Sequence, residues 1–144
     1  MNRLYGNEPL LQGFAPESIA STPARIVSHK RSSGGGPISL TAANFYQYVG
    51  VSELPVVIDF WARWCSLSKA MAPHFSNGAR KLTGRALFAK VEIDEEASLA
   101  ARYGTECVPT LIVLSNGHEI ERHCGAMTAG QLGRWLQPHL GKTW

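Results

Sequence analysis

Apolar and polar positions follow two regimes along this chain. Up to residue 36 they show no sustained period, and Pro, Ser, Gly and Asn are frequent. The stretch SSGGGP at 32 to 37 closes that segment as a glycine-rich hinge. From residue 37 the pattern becomes regular. PISL (37 to 40) reads as a short edge strand, and Thr41 as the cap of a helix with Phe45, Tyr48 and Val49 on one face. PVVIDF (55 to 60) is a continuous apolar run of strong β formers, as expected of a strand buried on both faces. Met71, Phe75, Ala79 and Leu82 recur at helical spacing, which predicts a helix from about Cys65 to Leu82 kinked at Pro73.

The second half repeats the alternation. ALFAKVEI (86 to 93) predicts another buried strand, and EEASLAARY (95 to 103) a short helix stopped by Gly104. TLIVL (110 to 114) and HEIERHC (118 to 124) flank Asn116-Gly117, a hairpin signal. Thr128 and Gln131 form a capping-box pattern, which opens a helix carrying Leu132, Trp135, Leu136 and Leu140 inward. Crossovers between the early strands require parallel pairing, and the hairpin adds antiparallel strands. The expected class is therefore α/β, with a mixed central β-sheet and helices on both faces. An extended or disordered arm over 1–36 precedes one folded domain over 37–144.

Composition narrows the chemistry. At 144 residues the chain holds about one domain, and a net charge of +3 brings no long basic run for tracking nucleic acid. HKR at 29 to 31 is short and reads as solvated. No apolar run approaches the ~18 residues of a membrane span, and no long apolar leader opens the chain. A cytoplasmic setting is expected, with no membrane partner. Three cysteines, Cys65, Cys107 and Cys124, predict reduced thiols and no disulfide framework. None of the five histidines has metal-ligand spacing, so neither a metal nor a cofactor is implied.

The chemistry gathers where the PVVIDF strand hands over to a helix. Ligand sites in open α/β sheets lie at the carboxyl ends of strands. Cys65 falls there, at a helix start, where free N–H groups and the helix dipole stabilise a thiolate. Lys69 adds positive charge one turn on. A lone cysteine among aromatics more often packs as a small hydrophobe. Asp59, however, lies within the same apolar strand, where a carboxylate is costly to bury and can carry a proton for a neighbouring thiol.

VVIDFWARWCSLSKAMAP resembles the active-site segment of the thioredoxin family, whose usual form is V-D-F-W-A-x-W-C-G-P-C-K followed by A-P. FAKVEID (88 to 94) is similar to the family's third strand with its lysine, here Lys90, and YGTECVPTL (103 to 111) to its cis-proline loop. NG at 116 to 117 and GA at 125 to 126 also fit, and the resemblance runs from Ser39 to Leu140. It implies a thioredoxin fold with Cys65 as nucleophile and Trp64 beside it. It also implies a cis bond before Pro109, which presents the Val108 backbone to an extended substrate. Asp59 and Lys90 become a buried acid–base pair, with Trp61 packed below. Some bacterial thioredoxins carry an N-terminal zinc ribbon with two C-x-x-C pairs. Residues 1–36 contain no cysteine, so an arm of that descent cannot bind zinc through thiolates.

The departures bear on function. Ser66-Leu67 replaces the family's Gly-Pro, and Ser68 replaces the second cysteine. A serine cannot close an S–S bond, so a mixed disulfide on Cys65 must be resolved from elsewhere. Ser68 is either a natural divergence or an engineered substrate-trapping replacement. Cys107, two residues before Pro109, is either an incidental half-exposed cysteine, a substitute resolving thiol, or a link between two molecules as a dimer. Cys124 reads as structural packing. Two functions stand. One is a monothiol oxidoreductase acting on protein disulfides or mixed disulfides, with glutathione or a reductase as external thiol. The other is a redox-inactive binding or chaperone-like module using the same surface.

Overall fold

The computed structural model describes residues 35–140. The arm expected over 1–36 thus lies, up to residue 34, outside the described residues. Strand β1 (Ile38–Ser39) leads to helix α1 (Phe45–Val49), strand β2 (Val56–Trp61) and helix α2 (Ser66–Lys81). Strand β3 (Leu87–Glu92), helix α3 (Ala97–Arg102) and the hairpin β4 (Thr110–Ser115) and β5 (His118–Cys124) follow. Helix α4 (Ala129–Leu136) runs into a 3-10 turn at Gln137–His139.

The five strands lie in the order β1-β3-β2-β4-β5. β3 pairs in parallel with both β1 and β2, whereas β4 is antiparallel to β2 and to β5. This is the mixed sheet of the thioredoxin fold. Alternation in β2 sends Val56, Ile58 and Phe60 to one face and Val57 to the other. The first face packs on Phe45 and Val49 of α1 and Leu99 of α3. The second packs on Met71, Phe75 and Ala79 of α2 and Leu132 and Leu136 of α4. Two apolar layers therefore clamp β2, which explains why its sequence shows no alternation.

Local chemistry sets the boundaries. Asn116 and Gly117 both have positive φ, at 52° and 81°, so the two-residue turn has the twist that a tight hairpin needs. Thr128 Oγ1 accepts from the Gln131 backbone N–H, and the Gln131 side chain accepts from the Thr128 N–H, which completes the capping box of α4. The first helix begins later than Thr41 predicts. Thr41 and Asn44 bond reciprocally, Thr41 N–H to Asn44 Oδ1 at 2.8 Å and Asn44 N–H to Thr41 Oγ1 at 3.2 Å. That closed box holds 42–44 as a turn and leaves regular helix only from Phe45. Pro73 lies inside α2, where it removes the hydrogen bond to the Lys69 carbonyl.

Candidate active site

The site forms where β2 ends. The chain leaves Trp61, turns through Ala62 to Trp64, and enters α2 with Cys65 at the N-cap in extended conformation (φ −97°, ψ 117°). The turn closes on itself, since the Cys65 N–H donates to the Ala62 carbonyl at 3.1 Å. Cys65 is half-buried and is the free cysteine of the chain. Its thiol lies below its ordinary range because the Ser68 backbone N–H favours the thiolate. Partial burial opposes this, and the Ser68 hydroxyl and the Leu67 N–H add to it. Lys69 is exposed and is not among these causes. Helix-start geometry thus activates the sulfur without a cationic side chain.

Ser68 is buried, and its Oγ accepts from the Ala62 N–H at 3.3 Å. Its hydroxyl fixes the turn on one side and faces the thiol on the other. Its residue type was legible as a lost thiol; its role as a donor to Cys65 was not.

Val108 and Pro109 come to the sulfur from the opposite side. The Val108–Pro109 peptide is cis, and the Cys65 thiol donates to the Val108 carbonyl at 3.6 Å. The Val108 backbone therefore borders the sulfur, and Val108 itself is half-buried. Trp64 is 64% exposed and Leu67 55% exposed, so large apolar side chains flank Cys65 in sequence at the surface. The Trp64 ring is fixed by its Nε1–H, which donates to Asp94 Oδ2 at 2.8 Å.

Asp59 is fully buried, and neither carboxylate oxygen has a hydrogen-bond partner. Burial pushes its pKa from 3.8 to about 7, against the opposing pull of Lys90. Lys90 is its register partner across β2 and β3, but the two form no ion pair among the described residues. The Lys90 Nζ lies instead over the Trp61 ring, 4.6 Å from its centroid.

Two features of the site lie beyond the sequence reading. Glu92 is buried at the end of β3 and accepts from the backbone N–H groups of Arg63 (3.2 Å), Asp94 (2.9 Å) and Glu95 (2.8 Å). It ties the Cys65 turn to the loop that carries Asp94. The signal available was its spacing, two residues after Lys90 on the same strand face. The second is a correction. Cys107 and Cys124 form a disulfide, with Cα atoms 5.7 Å apart. Neither is the reduced thiol expected, and Cys107 is engaged within its own chain rather than linking two molecules. The physical reason is the hairpin register. Thr110 lies opposite Cys124, and the cis-proline turn folds Cys107 back beside it. Among the described residues no cluster of His, Cys, Asp or Glu could hold a metal ion. Nor is any helix there long and apolar enough to cross a membrane.

The thioredoxin family model matches residues 36–138. Thioredoxin C-3 of Corynebacterium nephridii is 36% identical over 104 residues, covering 72% of this chain and 71% of the relative. Thioredoxin 1 of Nostoc sp. is 34% identical over 101 residues, 70% of this chain and 94% of the relative. Thioredoxin of Haemophilus influenzae is 29% identical over 103 residues, 72% and 96% of the two chains. With the cysteine at the start of α2, the cis-proline loop beside it and these matches across the folded body, the chain belongs to the thioredoxin family of thiol–disulfide oxidoreductases.

Proposed function

We propose that the chain is a monothiol thioredoxin-like oxidoreductase that acts through Cys65 on protein disulfides or mixed disulfides. The observation that carries this reading is the setting of one sulfur. Cys65 is half-exposed, favoured as thiolate by the Ser68 N–H, and bordered by the Val108 carbonyl. The thiolate attacks one sulfur of a substrate disulfide, forms a new S–S bond, and expels the other substrate sulfur as a thiolate. Trp64, Val108 and Pro109 form the docking surface for an extended substrate segment, with backbone pairing at Val108.

Ser68 cannot displace the substrate from Cys65. An external thiol, glutathione or a reductase dithiol, attacks the mixed disulfide and restores the Cys65 thiolate. Asp59 then has no second thiol to deprotonate and acts, with Lys90, on the charge balance beneath the site. Deglutathionylation and isomerisation need one sulfur only, so both suit this site better than net reduction. In this reading the folded domain begins at 37, and the working compartment is cytoplasmic. The test is turnover of insulin and of a glutathionylated protein with glutathione as donor, comparing wild type with Cys65→Ala. Equal rates in the two would reject catalysis through this thiol.

A binding-module reading rests on the exposed rim. Trp64 and Leu67 stay available whatever the redox chemistry, and Leu67 enlarges the apolar surface. Partners retained in pulldowns under strong reductant would favour docking without disulfide exchange.

A further inference from the structure

The disulfide begins one residue before the Val108 carbonyl that meets the Cys65 thiol. Cys107 is bonded through its backbone to Val108, whose carbonyl oxygen lies 3.6 Å from Cys65 Sγ. Cys107 thus belongs to the cis-proline loop, one residue before the residue that touches the thiol. Its partner Cys124 ends β5, where the Gly125 N–H donates to the Pro109 carbonyl at 2.8 Å. The bridge therefore ties the two segments that hold the cis-proline turn. It is also accessible, for Cys124 is exposed and Cys107 half-buried. Attack at Cys124, the more exposed residue, makes Cys107, the cysteine of the cis-proline loop, the leaving group. Accessible disulfides are the ones that exchange.

We propose that Cys107–Cys124 is a second redox couple of this protein, and that its reduced form resolves the mixed disulfide on Cys65. The proposal rests on the Cys65 reading above and supplies the dithiol that Ser68 removed. A donor dithiol attacks Cys124 and releases the Cys107 thiolate. The donor's second sulfur then closes its own disulfide and releases Cys124. The donor has lost two electrons and the pair has gained them. When Cys65 holds a substrate sulfur, the Cys107 thiolate attacks the Cys65 sulfur, forming Cys107–Cys65 and expelling the substrate thiolate. Cys124 next attacks Cys107, which restores Cys107–Cys124 and frees the Cys65 thiolate. The net result passes two electrons from the donor to the substrate.

The test uses the full chain, reduced with dithiothreitol, desalted without oxygen and mixed with one equivalent of glutathione disulfide. Acid-quenched peptide mapping follows the sulfurs. Wild type should finish with Cys107–Cys124 bridged, Cys65 free and two glutathiones released. Glutathione should leave Cys65 at least about tenfold faster than from a Cys107→Ser/Cys124→Ser variant, because the attack is intramolecular. Cys124→Ser should accumulate a Cys65–Cys107 bridge. The relay is overturned if wild type keeps glutathione on Cys65 and Cys124→Ser shows no such bridge, and the wild-type arm stands even where a variant misfolds. Where the relay is overturned in this way but the double variant still takes up glutathione on Cys65, the monothiol reading stands. If Cys65 takes none in any form, the monothiol reading fails with it.

Discussion

Asp59 and Lys90 face each other in register across β2 and β3, yet the Lys90 ammonium lies over the Trp61 ring and leaves the Asp59 carboxylate without a partner. A carboxylate buried this way prefers its proton. The native pKa of about 7 exceeds the ordinary 3.8, so between those values the folded state holds a proton that the unfolded state has lost. Stability must then fall as pH rises through that interval. The gap between 3.8 and about 7 corresponds to about 4 kcal/mol once pH exceeds the native value. Asp59→Asn cannot ionise. Its stability relative to wild type, from urea unfolding at pH 4 to 8, should rise with pH by roughly 2 to 4 kcal/mol. A difference that stays flat across this range would show that Asp59 is not the titrating group.

Glu92 is the opposite case on the same sheet. Burial raises its pKa, but the N–H groups of Glu95, Arg63 and Asp94, with the Arg63 charge, together hold it below the ordinary 4.5. Its folded pKa is depressed, so its contribution is present above pH 4.5 and is lost as pH falls through the lower native value. Glu92→Ala leaves three backbone donors and the Arg63 side chain without this acceptor. A loss of about 2 to 4 kcal/mol at pH 7, shrinking on acidification, is expected in thermal or urea melts. Hydrogen exchange should also speed up at Arg63 and Glu95, because Glu92 fixes both turns.

Much of this arrangement was legible in the chain. The helix stripe Met71–Phe75–Ala79, the unbroken β2 run and the Asn116-Gly117 turn each encode local geometry that needs no distant partner. Asp59 stood out for the same reason, as a charge within an apolar strand. What escaped depends on register between distant segments. Cys107 and Cys124 are 17 residues apart, and they meet only because the hairpin pairs Thr110 with Cys124 and the cis-proline turn folds the chain back. Glu92 caps a loop 29 residues away at Arg63, and its spacing after Lys90 marks the strand face but not that distant partner. The late start of α1 turned on whether Asn44 would answer Thr41, a contest between two short-range patterns that composition does not rank.

Close packing between α2 and α4 makes Gly78 sensitive. A Cβ there would lie 3.0 Å from Leu132 Cδ2 and 3.3 Å from Phe88 Cε2. Alanine favours helix over glycine by ~1 kcal/mol, whereas overpacking a dense core costs about 1 to 3 kcal/mol. The core cost should win. Gly78→Ala is expected to lower stability by about 1 kcal/mol, and combining it with Leu132→Ala should relieve the clash. A double-mutant cycle in urea that found the two changes additive would contradict this contact.

The pair Cys65 and Ser68 yields the sharpest chemical prediction. Ser68 acts through two groups, its backbone N–H and its hydroxyl, and only the second is lost in Ser68→Ala. The midpoint of iodoacetamide alkylation against pH should therefore rise in Ser68→Ala yet stay below that of an ordinary thiol, since the main donor remains. The Ala62 N–H would also lose its acceptor, loosening the turn that presents the sulfur. Ser68→Cys keeps the buried position and adds a sulfur one helical turn from Cys65. With Cys107–Cys124 bridged, a mixed disulfide on Cys65 then meets an intramolecular nucleophile, so its lifetime should fall by at least about tenfold and insulin reduction should rise in step. Unchanged lifetimes in Ser68→Cys would mean that residue 68 cannot reach the Cys65 sulfur, and that the turn is built to present one thiol alone.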